Sequence, residues 1–237
     1  MEVCVTSLAE ALAARSAGAD TVELCTWLAA GGVTPSLGLV RVVRAQLNIP
    51  VRVLVRPHGG GFIYDAAERA VIETDAALFG GPVVTGMLDP QGLPDAGLMA
   101  RMRQRLPGTE ITFHRAVDHA RDPLRASVAC GELGLERVLS SGGRSTALEG
   151  AEVLRRMVQH ATGDLVIAAA GGITPANVVE VVERTGVREV HFAAQRPLPP
   201  ASGPTLSSCN EAAPVLFGPD RAKIDGVLNA LVKAGLR

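Results

Sequence analysis

Cys4 and Cys25 each fall inside a short apolar run, and each shares one side of its run with polar partners, Glu2 and Thr6 for Cys4 and Glu23 for Cys25. In an extended strand alternate residues point the same way, so two inward-facing thiols on neighbouring strands approach each other. Paired thiolates select a soft ion such as Cu(I); the other reading is a pair of buried small hydrophobes, as cysteine commonly is. A second polar set falls at or near the ends of apolar runs: Glu23, Arg56, His114, Arg115, Asp118 and His191. Histidine titrates near neutrality, so either one suits an acid, a base or a ligand, or else a satisfied core position. Glu23 and Arg56 either frame a pocket or form a structural ion pair. Alternation sends Arg115 to the side opposite His114, so the two are not expected to enter one pocket. Asp118 either joins them or caps its loop.

A third set is Gly171, Gly172 and Thr174, just ahead of Pro175 and Asn177. Glycines before a helix start expose backbone N–H groups and a positive dipole end to a phosphate or carboxylate, although glycine suits any tight turn. Gly59-Gly60-Gly61 permits either close backbone approach or positive φ, followed by Phe62 and Tyr64 as a lid tip or loop packing. Other polar groups near strand ends are Thr85, Asp89, Ser140 and Ser141. A Schiff-base mechanism needs a lysine at a strand end; the two lysines, Lys223 and Lys233, both fall on the last helical segment and are set aside. There is no HExxH and no CxxC. A metal site assembled from distant strand ends, such as Glu23, His114 and His191, stays geometrically open. Cys130 reads as core, and Cys209 as incidental.

Groups scattered this widely along a chain meet only if the strands that carry them share one pole. Apolar, β-branched runs at 2–6, 21–25, 51–56, 83–88, 110–115, 137–141, 165–170 and 188–193 alternate with helical patterns. The spacing leaves room for a helical crossover each time, as parallel strands require. Eight units favour one closed (β/α)8 TIM-like barrel of class α/β over an open doubly wound sheet. Chemistry in such barrels sits at the carboxyl ends of the strands. Capping boxes are expected at Ser7/Glu10 and Thr146/Glu149, and N-caps before proline at Asp122-Pro123 and Thr174-Pro175. Leu37, Val40, Val43 and Leu47, like Ile224, Val227, Leu228 and Leu231, have the spacing of a barrel-covering helix face. The whole of 1–237 reads as one domain, with a long irregular segment at about 195–219 that is rich in Pro, Ala and Ser and lies over the mouth or reaches a neighbour.

The 237 residues, 47% hydrophobic with a net charge of −1, suit a globular domain and show no nucleic-acid footprint. No apolar run reaches membrane-spanning length. The first residues enter a strand pattern directly, without the basic start and cleavage site of a signal peptide, so a cytoplasmic protein with free thiols is expected.

The stretches Ala19-Asp20-Thr21-Val22-Glu23-Leu24-Cys25, Gly31-Gly32-Val33-Thr34-Pro35-Ser36, Val55-Arg56-Pro57-His58-Gly59-Gly60, Val84-Thr85-Gly86-Met87-Leu88-Asp89, Thr112-Phe113-His114-Arg115-Ala116-Val117-Asp118, Val138-Leu139-Ser140-Ser141-Gly142 and Glu189-Val190-His191 resemble the CutC family of copper-homeostasis proteins, in the family's order over roughly 2–194. The resemblance implies a cytoplasmic, often oligomeric TIM-like barrel associated with copper. It also implies that Cys4 and Cys25 match the cysteines proposed as Cu(I) ligands, and that Glu23, Arg56, His114, Arg115, Asp118 and His191 are the matching polar positions. The chain departs from the family pattern at Gly61, where an acidic residue is common, and between Asp75 and Thr85, which looks about one helical turn shorter. The rival expectation is an enzyme acting on a small anionic or phosphorylated metabolite, with Arg56 and the 171–174 turn as anion clamp and Glu23 with a histidine as acid and base. A non-catalytic binding barrel is a third.

Overall fold

Buried β-branched residues dominate the short strands, and that is why they stack into one parallel sheet with both faces covered. The computed structural model describes residues 1–199 and 215–237. Eight parallel strands close into a barrel: β1 (Glu2–Val5), β2 (Thr21–Leu24), β3 (Val51–Leu54), β4 (Val83–Thr85), β5 (Ile111–Phe113), β6 (Arg137–Ser140), β7 (Val166–Ala170) and β8 (Glu189–Ala193). β1 pairs with both β2 and β8, which shuts the cylinder. All eight expected strands are present, each one to three residues shorter than the apolar run that signalled it.

Around the barrel lie α1 (Leu8–Ser16), α2 (Leu37–Gln46), α3 (Ala66–Phe79), α4 (Ala96–Arg105), α5 (Pro123–Glu132), α6 (Ala151–His160), α7 (Val178–Thr185) and α8 (Arg221–Lys233). Two short 3-10 turns, Leu28–Ala30 and Arg115–His119, follow β2 and β5 at the mouth. Val40 and Val43 of α2 and Ile224, Val227 and Leu231 of α8 face the barrel, as their spacing implied. No helix among the described residues is long and apolar enough to cross a membrane.

Local signals mostly hold, with three corrections. Asp122 caps α5 with Pro123 in the first turn, and Thr146 and Glu149 exchange both capping bonds at 3.2 Å. The box expected at Ser7 is half formed: its hydroxyl accepts from Glu10 N, but the Glu10 carboxylate turns to Thr6 N at 2.8 Å. A full box occurs instead at Asp65 and Glu68, opening α3. α7 begins at Val178 rather than beside Pro175, because Thr174 to Asn177 first forms a separate turn. The ends of the segment expected to be irregular pair as a two-stranded antiparallel ribbon, β9 (Gln195–Pro197) with β10 (Phe217–Pro219). Residues 200–214, Cys209 among them, lie outside the described residues.

Inside the cylinder the packing is layered. At the amino-terminal end Glu2 accepts from Arg52 at 2.7 Å and from Arg137 at 2.9 Å. Arg52 also reaches Glu110, and Arg137 reaches Glu189. Above this buried ionic layer sit Cys4, Cys25, Leu54, Val84, Leu139, Ala168 and Ala170. The space over them opens at the strand carboxyl ends.

Candidate small-molecule site at the barrel mouth

A cavity of about 650 Å³ occupies that space. Its floor comes from strand residues. Cys4 and Glu23 are register partners on β1 and β2, and Glu2 and His191 are partners on β1 and β8. The alternation of three adjacent strands thus stacks a thiol, a carboxylate and an imidazole together. One donor atom from each of Cys4, Glu23 and His191 lies within 4.8 Å of the other two. His191 Nδ1 is held by Glu2 Oε1 at 2.8 Å. The Cys4 thiol contacts Glu23 Oε1 and Cys25 Sγ, each at 3.5 Å.

Burial governs the charges here. It pushes the Glu23 carboxyl up, with Glu2 adding to the push and His191 and Arg137 offsetting part of it. Burial also disfavours the His191 imidazolium, but Glu23 and Glu2 outweigh it and the net shift is upward. The Cys25 thiol, burial and Glu23 together hold the Cys4 thiol well above its ordinary range, so it stays protonated until something displaces the proton.

His114 forms one wall. Its Nδ1 accepts the Ala116 backbone N–H at 3.1 Å, at the start of the 3-10 turn. Burial, with the Arg56 charge, pushes its pKa down to about 3. The ring is therefore neutral, and since Nδ1 accepts, the proton sits on Nε2. That N–H is buried without a hydrogen-bond partner, as are Glu23 Oε2 and Arg56 Nε. Native interiors rarely leave such atoms unsatisfied.

Arg56 and Glu23 do not pair. The guanidinium instead donates to Ala30 O, Gly32 O and Gly60 O at 2.8–2.9 Å, tying the β2 and β3 loops together. Phe62 stacks beneath it, 5.0 Å from Cζ, and meets His114 edge-on. None of the three glycines after Arg56 has positive φ, and Gly59 serves close approach: a Cβ there would stand 2.7 Å from Ala30 Cβ, whereas Gly61 borders open space.

The expectation that His114 and Arg115 diverge is overturned. β5 ends at Phe113 and the 3-10 turn starts at Arg115, so strand alternation no longer applies and both line the cavity. Asp118 does not line it. Its carboxylate, shielded from solvent, accepts from Arg115 Nε, Ser140 Oγ, Ser141 N and Gly143 N at 2.6–3.0 Å, and thereby positions Arg115 and the β6 loop. Cys25 is fully buried behind Cys4 and is absent from the cavity wall.

Gly171, Gly172 and Thr174 do line it. Gly171 has φ +98°, and a Cβ there would meet the Arg115 guanidinium at 3.3 Å. The Thr174 N–H is engaged by Asn177 Oδ1 at 2.8 Å, which leaves the two glycines and Arg115 as the anion-seeking part of the rim.

Two wall residues carry no mark in the sequence. His119 ends the 3-10 turn and packs against Phe62. Lys223 lies on the first turn of α8, which starts at the mouth. Its Nζ donates to Ala193 O at 2.7 Å and lies over the Phe192 ring, and burial lowers its pKa. Lys223 thus reaches the mouth although it is helical, because βα crossovers bring the first turn of each helix to that pole.

The chain is similar to known proteins. The model described as CutC family matches residues 1–196. A family protein CutC of Xylella fastidiosa is 44% identical over 199 residues, spanning 82% of this chain and 74% of the relative. The human protein named copper homeostasis protein cutC homolog is 41% identical over 199 residues, spanning 82% of this chain and 73% of its own. The crystal structure of CutC from Streptococcus agalactiae superposes with a TM-score of 0.74 at 28% identity, covering 81% of this chain and 96% of that one.

Proposed function

The chain belongs to the CutC family, and on that footing we propose that its barrel mouth binds a small anionic metabolite and acts on it by proton transfer. The observation that carries this reading is the convergence of three buried, unpartnered polar atoms, Glu23 Oε2, His114 Nε2 and Arg56 Nε, on residues lining one hollow. They differ in character: an acceptor, a neutral donor and a cation. A neutral imidazole N–H suits an oxygen on which negative charge develops. Glu23 and His191, shifted upward together, supply the acid–base pair of the floor. Arg115, Gly171 and Gly172 take the anionic end, in the rim region where barrels commonly hold phosphate. The reading asks for a reducing, cytoplasmic compartment, which keeps the Cys4 thiol beside Glu23 reduced.

A panel of phosphorylated and carboxylate metabolites, screened by thermal shift in the presence of chelator, tests it. A ligand at 100-fold its Kd should raise Tm by about 5–10 °C, and Arg115→Met should cancel most of the rise. If no anion stabilises the protein, the reading fails.

The 3.5 Å approach of Cys4 Sγ and Cys25 Sγ favours a second reading, Cu(I) held by the two thiols. The name of the human relative points the same way. Anaerobic Cu(I) titration of Cys25→Ser separates it from the first: unchanged copper binding removes Cys25 as a ligand.

A further inference from the structure

We propose that Cys4, Glu23 and His191 form a centre for a divalent transition ion of the zinc type, with an open coordination position facing the cavity. The inference rests on the cavity reading only for what the open position meets; ion binding itself does not depend on it.

Four observations carry it. The three donors, one sulfur, one oxygen and one nitrogen, already lie within 4.8 Å of one another. Mixed N, O and S sets suit Zn²⁺, and three protein ligands with a free position are the arrangement of zinc sites that act on substrates. His191 is oriented as a ligand histidine commonly is: a carboxylate, Glu2, holds Nδ1 at 2.8 Å and leaves Nε2 to an ion. Glu2 is itself clamped by Arg52 and Arg137, so the orienting group is rigid. Glu23, 5% exposed, keeps Oε2 without a hydrogen-bond partner.

Charge agrees. Four carboxylates in and below the floor, Glu2, Glu23, Glu110 and Glu189, face two guanidiniums, Arg52 and Arg137. Glu23 has no ion-pair partner among the described residues. A dication bound there gives the Glu23 carboxylate a counterion, without which burial favours its neutral form. All three donors line the cavity, whereas Cys25 does not. The centre is thus distinct from a two-thiol site: it uses Cys4 with Glu23 and His191, and leaves Cys25 as packing. With an ion bound, Glu23 and His191 serve as ligands, and acid–base work passes to a water in the open position.

The test is a titration of the chelator-treated, reduced full chain with Co²⁺ and Zn²⁺. The expected result is one ion per chain and a thiolate-to-cobalt charge-transfer band. Cys4→Ser should abolish the band. Glu23→Gln and His191→Asn should each weaken zinc binding at least 100-fold, and Glu2→Gln about 10–100-fold. Cys25→Ser should keep affinity within about twofold. Circular dichroism identifies any variant that does not fold; the ligand assignment is then decided on the remaining ones. Absence of stoichiometric binding by the parent overturns the proposal. So does loss of binding in Cys25→Ser with retention in Glu23→Gln and His191→Asn, which is the pattern of a two-thiol site. Anion stabilisation in chelator without ion binding leaves the cavity reading intact and removes this one; ion binding without any anion effect does the reverse.

Discussion

The imidazole of His191 meets the carboxylate of Glu2 at 2.8 Å across 189 positions of sequence, because β8 closes the barrel onto β1. That contact joins the buried ionic layer at the amino-terminal end to the floor of the mouth. Glu2 is not only a brace for the histidine. Burial disfavours its charge, yet Arg137, His191 and Arg52 outweigh burial and hold its carboxyl well below the ordinary range.

Glu2→Gln should therefore be strongly destabilising. It leaves Arg137 with only Glu189 and Arg52 with only Glu110 in a buried layer, and breaking a buried ion pair from one side costs about 3–5 kcal/mol. Urea unfolding at neutral pH measures this. A loss below about 1 kcal/mol contradicts the assignment of Glu2 as the hub.

His114 predicts a pH dependence. Its folded-state pKa is about 3, against about 6.5 in an unfolded chain. Between those values the unfolded state binds a proton that the folded state does not. Stability from this group is then complete above about pH 6.5 and falls as the pH drops toward 3, with a slope of up to about 1.4 kcal/mol per pH unit. His114→Gln should flatten that part of the profile. Unfolding free energies at a series of pH values for parent and variant check it; parallel profiles remove the claim that the ring is buried and neutral.

Arg56 should behave as a strut. Its guanidinium donates to three carbonyls on two loops, a fork that lysine cannot reproduce. Arg56→Lys is expected to cost about 2 kcal/mol or more and to raise amide exchange together around residues 28–32 and 59–61. Faster exchange in one loop alone means that the guanidinium does not couple them.

The barrel was legible because periodicity is a property of neighbours in sequence: runs such as Val51-Arg52-Val53-Leu54 carry their own signature. The approach of the Cys4 and Cys25 thiols followed from the same alternation. What stayed hidden depended on where regular structure stops. His114 and Arg115 share the cavity because β5 gives way to a 3-10 turn between them, and one residue's difference in a strand end reverses the side a residue faces. Asp118 reads in the sequence as either a pocket residue or a loop cap; the donors that converge on it come from Arg115 and from β6 and its loop, which only the fold brings to it. The charges of Arg52 and Arg137 inside buried strands were the missed clue to the ionic layer, since an arginine in such a run needs a buried partner.

Lys223 supplies the last prediction. It lies outside residues 1–196, the part matched to the family, yet its Nζ reaches the mouth and bonds Ala193 O, with no carboxylate partner among the described residues. A half-buried ammonium held by one carbonyl over an aromatic ring is an incompletely paired charge, and an anion at the rim completes it. Lys223→Met keeps the aliphatic stem over Phe192 and removes the charge, so fold stability should change by less than about 1 kcal/mol. Affinity for the stabilising anion should fall about 10-fold, the effect of losing roughly 1.4 kcal/mol of charge-assisted contact. Isothermal titration with the anion found by thermal shift reads this directly. Equal affinity in parent and variant places the anion on the Arg115 side of the mouth, away from α8.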